Sequence, residues 1–334
     1  MTLIGLPQPL TGTNMTIEYT TLFDQTFRGL GFDLVPQWNG FDPPYNAISG
    51  WPLKLPKTEF KANTLVLIHF QDFVTFDNDK IVELDAVEKF YGSHANQVVV
   101  THMHHGLEKI YHGPVNLIEY SNHNCREMTR LAQRWHECSA AISQPKTKAW
   151  QCLNGRMCLH RRRAVDILQN WHNGWLSYGT EICLPSWNYA TYRGTENDEN
   201  FVRLLPVYGT AAVNIVTETQ YDHRPGVICE KTLFAMAAQQ IPILIGYPGI
   251  VADCKDMGLD VFDDVVDTSY DFLPNNQRVE QAILRNKDLI QGKIDLEKFQ
   301  QRLQKQSQYV LNDLIKWYQN KFVQQAMLCA TKIL

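Results

Sequence analysis

Four groups of residues in this chain have the types and spacing that chemistry requires. The first runs Asn154-Gly-Arg-Met-Cys-Leu-His-Arg-Arg-Arg163, between an expected strand end and an expected helix. Backbone N–H groups at a helix start, together with the macrodipole, favour an anion there. Guanidinium groups suit bidentate phosphate contacts. Arg156 can approach from the turn and Arg161 from the first helical turn. The plain alternative is a solvated arginine face.

The second group is Glu218, which ends an apolar strand, followed by Glu230-Lys231-Thr232 at the start of a helix. A carboxylate at that place is favoured by the dipole and can accept from both hydroxyls of a ribose diol, while a neighbouring ammonium neutralises phosphate. Ordinary helix-start electrostatics is the competing reading. The third group is Thr101-His-Met-His-His-Gly106. His102 and His104 alternate along a strand end and could share an ion with a carboxylate. Glu108 is the one acidic residue close by in sequence, so the expectation is that no metal is bound.

The fourth group, His69-Phe-Gln-Asp72, closes the first strong strand. A general base that takes a proton from a hydroxyl can be Asp, Glu or His. Asp72 is the first candidate and His69 and His105 follow, with turn capping as the other role for Asp72. Arg126, Arg130 and Arg134 recur at helical spacing beside Trp135. They could track nucleic-acid phosphates with a stacking aromatic, or simply be solvated.

These groups must be positioned by regular elements. Continuous apolar runs at 64–70, 97–101 and 115–120 read as strands buried on both faces, the mark of a parallel sheet. A helix over 125–135 follows, and the Lys-rich stretch 143–148 makes a hinge. A second series reads strand 149–153, helix 161–171, strand 212–217, helix 230–239 and strand 243–245. From Leu296 the apolar residues repeat at helical spacing as one long amphipathic helix. The expected architecture is α/β, with two Rossmann-like domains at 1–147 and 148–334 and a ligand cleft at the carboxyl ends of the strands.

Composition agrees with an ordinary globular protein. The 334 residues are 44% hydrophobic and 20% charged, which excludes disorder, collagen and coiled coil. A net charge of −4 excludes a general polyanion binder. The longest apolar run covers 241–252 and is broken by Gly246, Pro248 and Gly249, too short to span a bilayer. No signal peptide is read in Met1–Leu10, and the eight cysteines form no CxxC pair, so reduced thiols and a cytoplasmic location are expected.

The segment from Glu230-Lys-Thr to Ile-Leu-Ile-Gly-Tyr-Pro-Gly249 resembles the donor half of GT-B glycosyltransferases. It is most similar to the fucosyltransferase and exostosin-like branches and their phage and giant-virus relatives. Met257-Gly-Leu-Asp-Val-Phe262, Val266-Asp-Thr-Ser-Tyr-Asp271, Arg278 and the Asn154-Gly-Arg…His160-Arg161 block also look like the viral subgroup. The resemblance covers about Trp150 to Arg285. After the Gln239-Gln240 helix end, the usual glycine is lacking.

The resemblance implies a GT-B fold with a long C-terminal helix and a nucleotide-sugar donor, a UDP-sugar first, in the C-terminal domain. Asn154, Arg156, His160, Arg161, Glu218, Glu230, Lys231 and Thr232 would bind that donor without a metal. It also implies, through the viral members, a sugar such as arabinose and an acceptor such as 5-hydroxymethylcytosine in phage DNA, in a host cytoplasm. Arg126, Arg130 and Arg134 would then meet the DNA. A glycan or protein acceptor, a metal-dependent hydrolase built on His102, His104 and His105, and a nucleotide-binding module without catalysis are the rivals.

Overall fold

The computed structural model describes residues 26–30, 33–34, 59, 61, 64–69, 76–77, 80–179 and 197–333. It divides into two compact units. The first comprises 1–102, 113–118 and 322–334, and the second 103–112 and 119–321. The 143–148 hinge expected from sequence thus lies inside the second unit, which also takes in residues 119–147. The helix Leu314–Ile333 starts in the second unit and ends in the first.

In the first unit β1 (Asp33–Leu34), β2 (Thr64–His69), β5 (Val98–His102) and β6 (Asn116–Glu119) form a sheet in that spatial order. The β1/β2 and β2/β5 pairs are parallel. Two short strands, β3 (Phe76–Asp77) and β4 (Lys80–Ile81), form a separate antiparallel pair. Every residue of β5 is buried, as the unbroken valine run requires.

The second unit contains β7 (Lys148–Asn154), β8 (Gly174–Tyr178), β9 (Ala211–Thr217) and β10 (Ile241–Ile245). Their spatial order is β10-β9-β7-β8, all parallel. The chain leaves β7 for β8 on one side, and β9 then pairs with β7 on the other. The carboxyl ends of β7 and β9 therefore form a topological switch point, where open parallel sheets bind ligands.

Register places Trp150, Val213 and Ile241 in one row. That face carries the apolar core, with Ala164 and Leu168 from the helix Leu159–Leu168 and Val279, Ala282 and Ile283 from the helix Asn275–Arg285. The adjacent row, Gln151 and Asn214, points into an amide network in which both side chains donate to Gln240 Oε1, at 3.1 and 2.8 Å. Gln240 in turn donates to the carbonyls of Tyr208 and Ala211. Buried amides need such partners, and these tie β7 and β9 to the start of β10.

The C-terminal region is helical as expected but not one uninterrupted helix. Gln300–Gln308 is followed by a π-helical turn, Tyr309–Asp313, and then Leu314–Ile333. At the end of the helix before β10, Gln239 takes φ +54°, a left-handed conformation that costs an L residue roughly 1–2 kcal/mol. Among the described residues no helix is long and apolar enough to cross a membrane.

Gly174 faces Trp150 across the β7/β8 ladder, and a Cβ there would lie 2.0 Å from Trp150 Cε2. Trp150 is 1% exposed, and its indole N–H donates to the His172 carbonyl at 3.2 Å. Gly174→Ala should therefore cost about 1–3 kcal/mol of stability. Urea unfolding followed by tryptophan fluorescence checks this, and an unchanged midpoint would show slack around the ring.

Candidate functional site

The switch point brings together most of the donor-site residues expected from sequence, but in two layers. The inner layer is buried. Asn154 donates to the Ser177 carbonyl at 3.1 Å and accepts from Thr217 Oγ1 at 2.5 Å. Glu218 is 0% exposed, and its Oε1 accepts from Thr232 Oγ1 at 2.5 Å and from the Cys229 N–H at 3.3 Å. The carboxylate thus fastens the start of the helix Glu230–Ala237 to the end of β9, where the helix dipole favours it.

Arg161 is 1% exposed. Its guanidinium donates to the carbonyls of Arg156 and Thr217 and to Thr219 Oγ1. It holds the loops after β7 and β9 together, so its charge reaches the crevice from beneath rather than through a free fork. His160 stacks on Tyr221 with centroids 4.5 Å apart, and its Nε2–H donates to the Glu218 carbonyl at 2.9 Å. Arg278, 0% exposed, lies 4.4 Å over the Tyr221 ring and donates to the carbonyls of Gly246, Leu273 and Tyr221.

The outer layer is the part a ligand can reach. Arg156 is exposed, and Glu230 and Lys231 keep 13% and 30% of their side chains accessible while pairing at 2.7 Å. A carboxylate at a helix start, an ammonium and a guanidinium offer acceptors for a diol and donors for phosphate oxygens.

A second polar cluster of the same unit surrounds His105. Its backbone N–H donates to the Gly226 carbonyl, and its Nδ1–H donates to Glu119 Oε1, both at 2.9 Å. Lys321 donates to Glu119 Oε2 at 2.6 Å. Although burial opposes the charge on Glu119, the bonds and charges of His105 and Lys321 bring its carboxyl down to about 2. Burial likewise opposes an imidazolium at His105, yet the Glu119 bond and the charges of Glu119 and Asp253 raise its pKa above the ordinary value. His105 Nε2 lies 3.8 Å from Asp253 Oδ1 and 3.7 Å from Asp256 Oδ2. Asp253 also accepts from Arg224 at 2.8 Å and from the Tyr247 hydroxyl at 3.0 Å.

The remaining expectations fare differently. Asp72 lies outside the described residues, and His69 is placed only as the last residue of β2. His102 falls in the first unit and His104 and His105 in the second, and the groups that meet His105 are aspartates rather than the other histidines. On the helix Asn122–Gln133, Arg126 pairs with Glu127, and just beyond it Arg134 pairs with Glu137, while Arg130 is half-buried. Those ion pairs offset much of the positive face that sequence spacing alone presents.

Glu119, Asp253, Asp256 and Lys321 escaped the sequence reading. Glu119 and Lys321 are separated by 202 positions, and no local pattern connects them.

Burial lowers the His160 pKa to about 4, against the hydrogen bond to the Glu218 carbonyl. Between pH 6.5 and 4 the unfolded chain takes up a proton that the folded chain refuses. Stability should therefore fall as pH drops through that window, by up to about 3 kcal/mol from this residue. His160→Gln should flatten that part of the acid slope, read from unfolding free energies at a series of pH values. No protein-family model, curated protein or solved structure matches the chain, so this geometry stands on its own.

Proposed function

We propose that the protein is a glycosyltransferase of GT-B type that binds a nucleoside-diphosphate sugar in its second unit. One observation carries the reading. The residues that suggest a donor site in the sequence lie on the segments that leave β7 and β9, Arg156 after β7 and Glu218, Glu230 and Lys231 after β9, at the switch point of a four-stranded parallel sheet.

In this reading Glu230 takes the ribose hydroxyls, and Lys231 and Arg156 take diphosphate oxygens. The helix Glu230–Ala237 supplies its positive end. Charge that builds on the departing diphosphate as the anomeric carbon is attacked is met by fixed donors. The inner layer of Asn154, His160, Arg161, Glu218 and Thr232 keeps those groups in place. His105, paired with Glu119, is the proton acceptor the reading keeps for the acceptor hydroxyl. UDP-sugars are the first donors to test, and 5-hydroxymethylcytosine in DNA is the acceptor that the resemblance implies. Because Arg126 and Arg134 already face glutamates, the reading rests on the donor half.

A thermal-shift panel of nucleoside diphosphates and nucleotide sugars tests it. A ligand at 100 times its Kd adds roughly 2.7 kcal/mol of stability, which raises Tm by several degrees. Arg156→Ala should weaken that ligand at least tenfold and leave the Tm of the free protein unchanged, since Arg156 is exposed. Arg161→Ala, by contrast, should lower the free-protein Tm, because it empties a buried carbonyl cage. No shift with any nucleotide, or unaltered affinity in Arg156→Ala, would overturn the reading.

A further inference from the structure

The cluster around His105 has a geometry that proton transfer alone does not require. His105 is 6% exposed at its side chain, and among the described residues its Nε2 has no hydrogen-bond partner. That atom faces carboxylate oxygens of Asp253 and Asp256, and one possible ligand atom from each of the three residues lies within 4.8 Å of the others. A fully buried carboxylate, a buried imidazole and a carboxylate 61% exposed therefore converge on one point with one side open to solvent. We infer that His105 Nε2, Asp253 Oδ1 and Asp256 Oδ2 form a binding site for a divalent transition-metal ion of the Mn²⁺ or Zn²⁺ type.

Three features favour an ion here. Ligand atoms bound to one metal at about 2.1 Å lie about 3.0–3.6 Å apart at angles of 90–120°. The two separations from His105, 3.8 and 3.7 Å, need only a small contraction around an ion, and the third spacing, at most 4.8 Å, closes by rotation of the exposed Asp256 side chain. Glu119 accepts from the far nitrogen of the imidazole, and Lys321 holds Glu119. A carboxylate behind a ligating histidine fixes its tautomer and orientation and raises its basicity. One imidazole with two carboxylates is also a mixed donor set suited to metals between the hard and the borderline class.

Arg224 donates to Asp253 Oδ1, the same oxygen that faces His105, and Tyr247 occupies Oδ2. A carboxylate oxygen has two lone pairs, so Oδ1 keeps one for the ion while Arg224 and Tyr247 hold the group still. The ion would join the residue before Gly106 to the helix Ile250–Asp256, with open positions left for water. The site uses none of Arg156, Glu230 or Lys231, so it is separate from the nucleotide-binding half of the proposed function, whereas an ion on Nε2 would take the nitrogen that the same reading keeps for the acceptor proton.

The test uses the full chain, dialysed against chelator and titrated with Mn²⁺ by calorimetry and by the electron paramagnetic resonance of free Mn²⁺. The expected result is one ion per chain and a higher Tm in its presence. Asp256→Asn, at an exposed position, should fold normally and weaken Mn²⁺ at least tenfold. His105→Gln should weaken Mn²⁺ likewise, with a lower Tm of the free protein because it disturbs the buried Glu119 pair. The absence of stoichiometric binding, or binding that Asp256→Asn leaves unchanged, would overturn the proposal and identify His105 as an imidazolium held between carboxylates. Nucleotide affinity measured in Asp256→Asn separates the two readings, because it should not change.

Discussion

The second unit depends on a carboxylate that has no contact with water. Glu218 directly follows β9 inside the protein, where an unpartnered charge would cost several kcal/mol. Besides the adjacent Thr219 N–H, its partners are the Thr232 hydroxyl and the Cys229 N–H, both at the start of the following helix. Satisfying the carboxylate therefore sets where that helix begins and which way its positive end points. Gly246, after β10, leaves the room this arrangement needs, since a Cβ there would lie 3.1 Å from Glu218 Cβ.

Buried arginines complete the same construction. Arg161 and Arg278 are each no more than 1% exposed, and both donate mainly to backbone carbonyls. A guanidinium has five N–H groups in a fixed fork, so one side chain can satisfy carbonyls from several loops at once. Arg161 joins the loops after β7 and β9, and Arg278 joins those after β9 and β10. The crevice walls are thus held by cations whose charge is only partly cancelled, and that suits an anionic ligand above them.

The His105 cluster works on a related balance. Glu119, Asp253 and Asp256 face Lys321, Arg224 and one imidazole. With a neutral imidazole the group carries one net negative charge, which either a proton or a metal ion can offset. A mobile proton and a bound ion are therefore alternatives at the same nitrogen, and composition alone does not choose between them.

The sequence by itself determined the elements that carry the crevice. Strand-length apolar stretches marked β7, β9 and β10, and continuous apolar runs marked β2, β5 and β6 of the first unit, because a strand buried on both faces has little polar alternation to offer. Glu230-Lys231 marked a helix start, because that position rewards a carboxylate. β8, Gly174–Tyr178, and the helix Asn275–Arg285 gave no such mark, since both mix polar residues into faces that neighbours cover. Tertiary structure alone decided which charges face water. Arg156 and Arg161 stand five positions apart with the same chemistry, yet one is exposed and the other is enclosed by carbonyls. It also decided that His105 meets aspartates from a helix about 150 residues away rather than its neighbouring histidines. Local spacing fixes periodicity and caps, whereas burial and long-range pairing exist only once the chain has closed on itself.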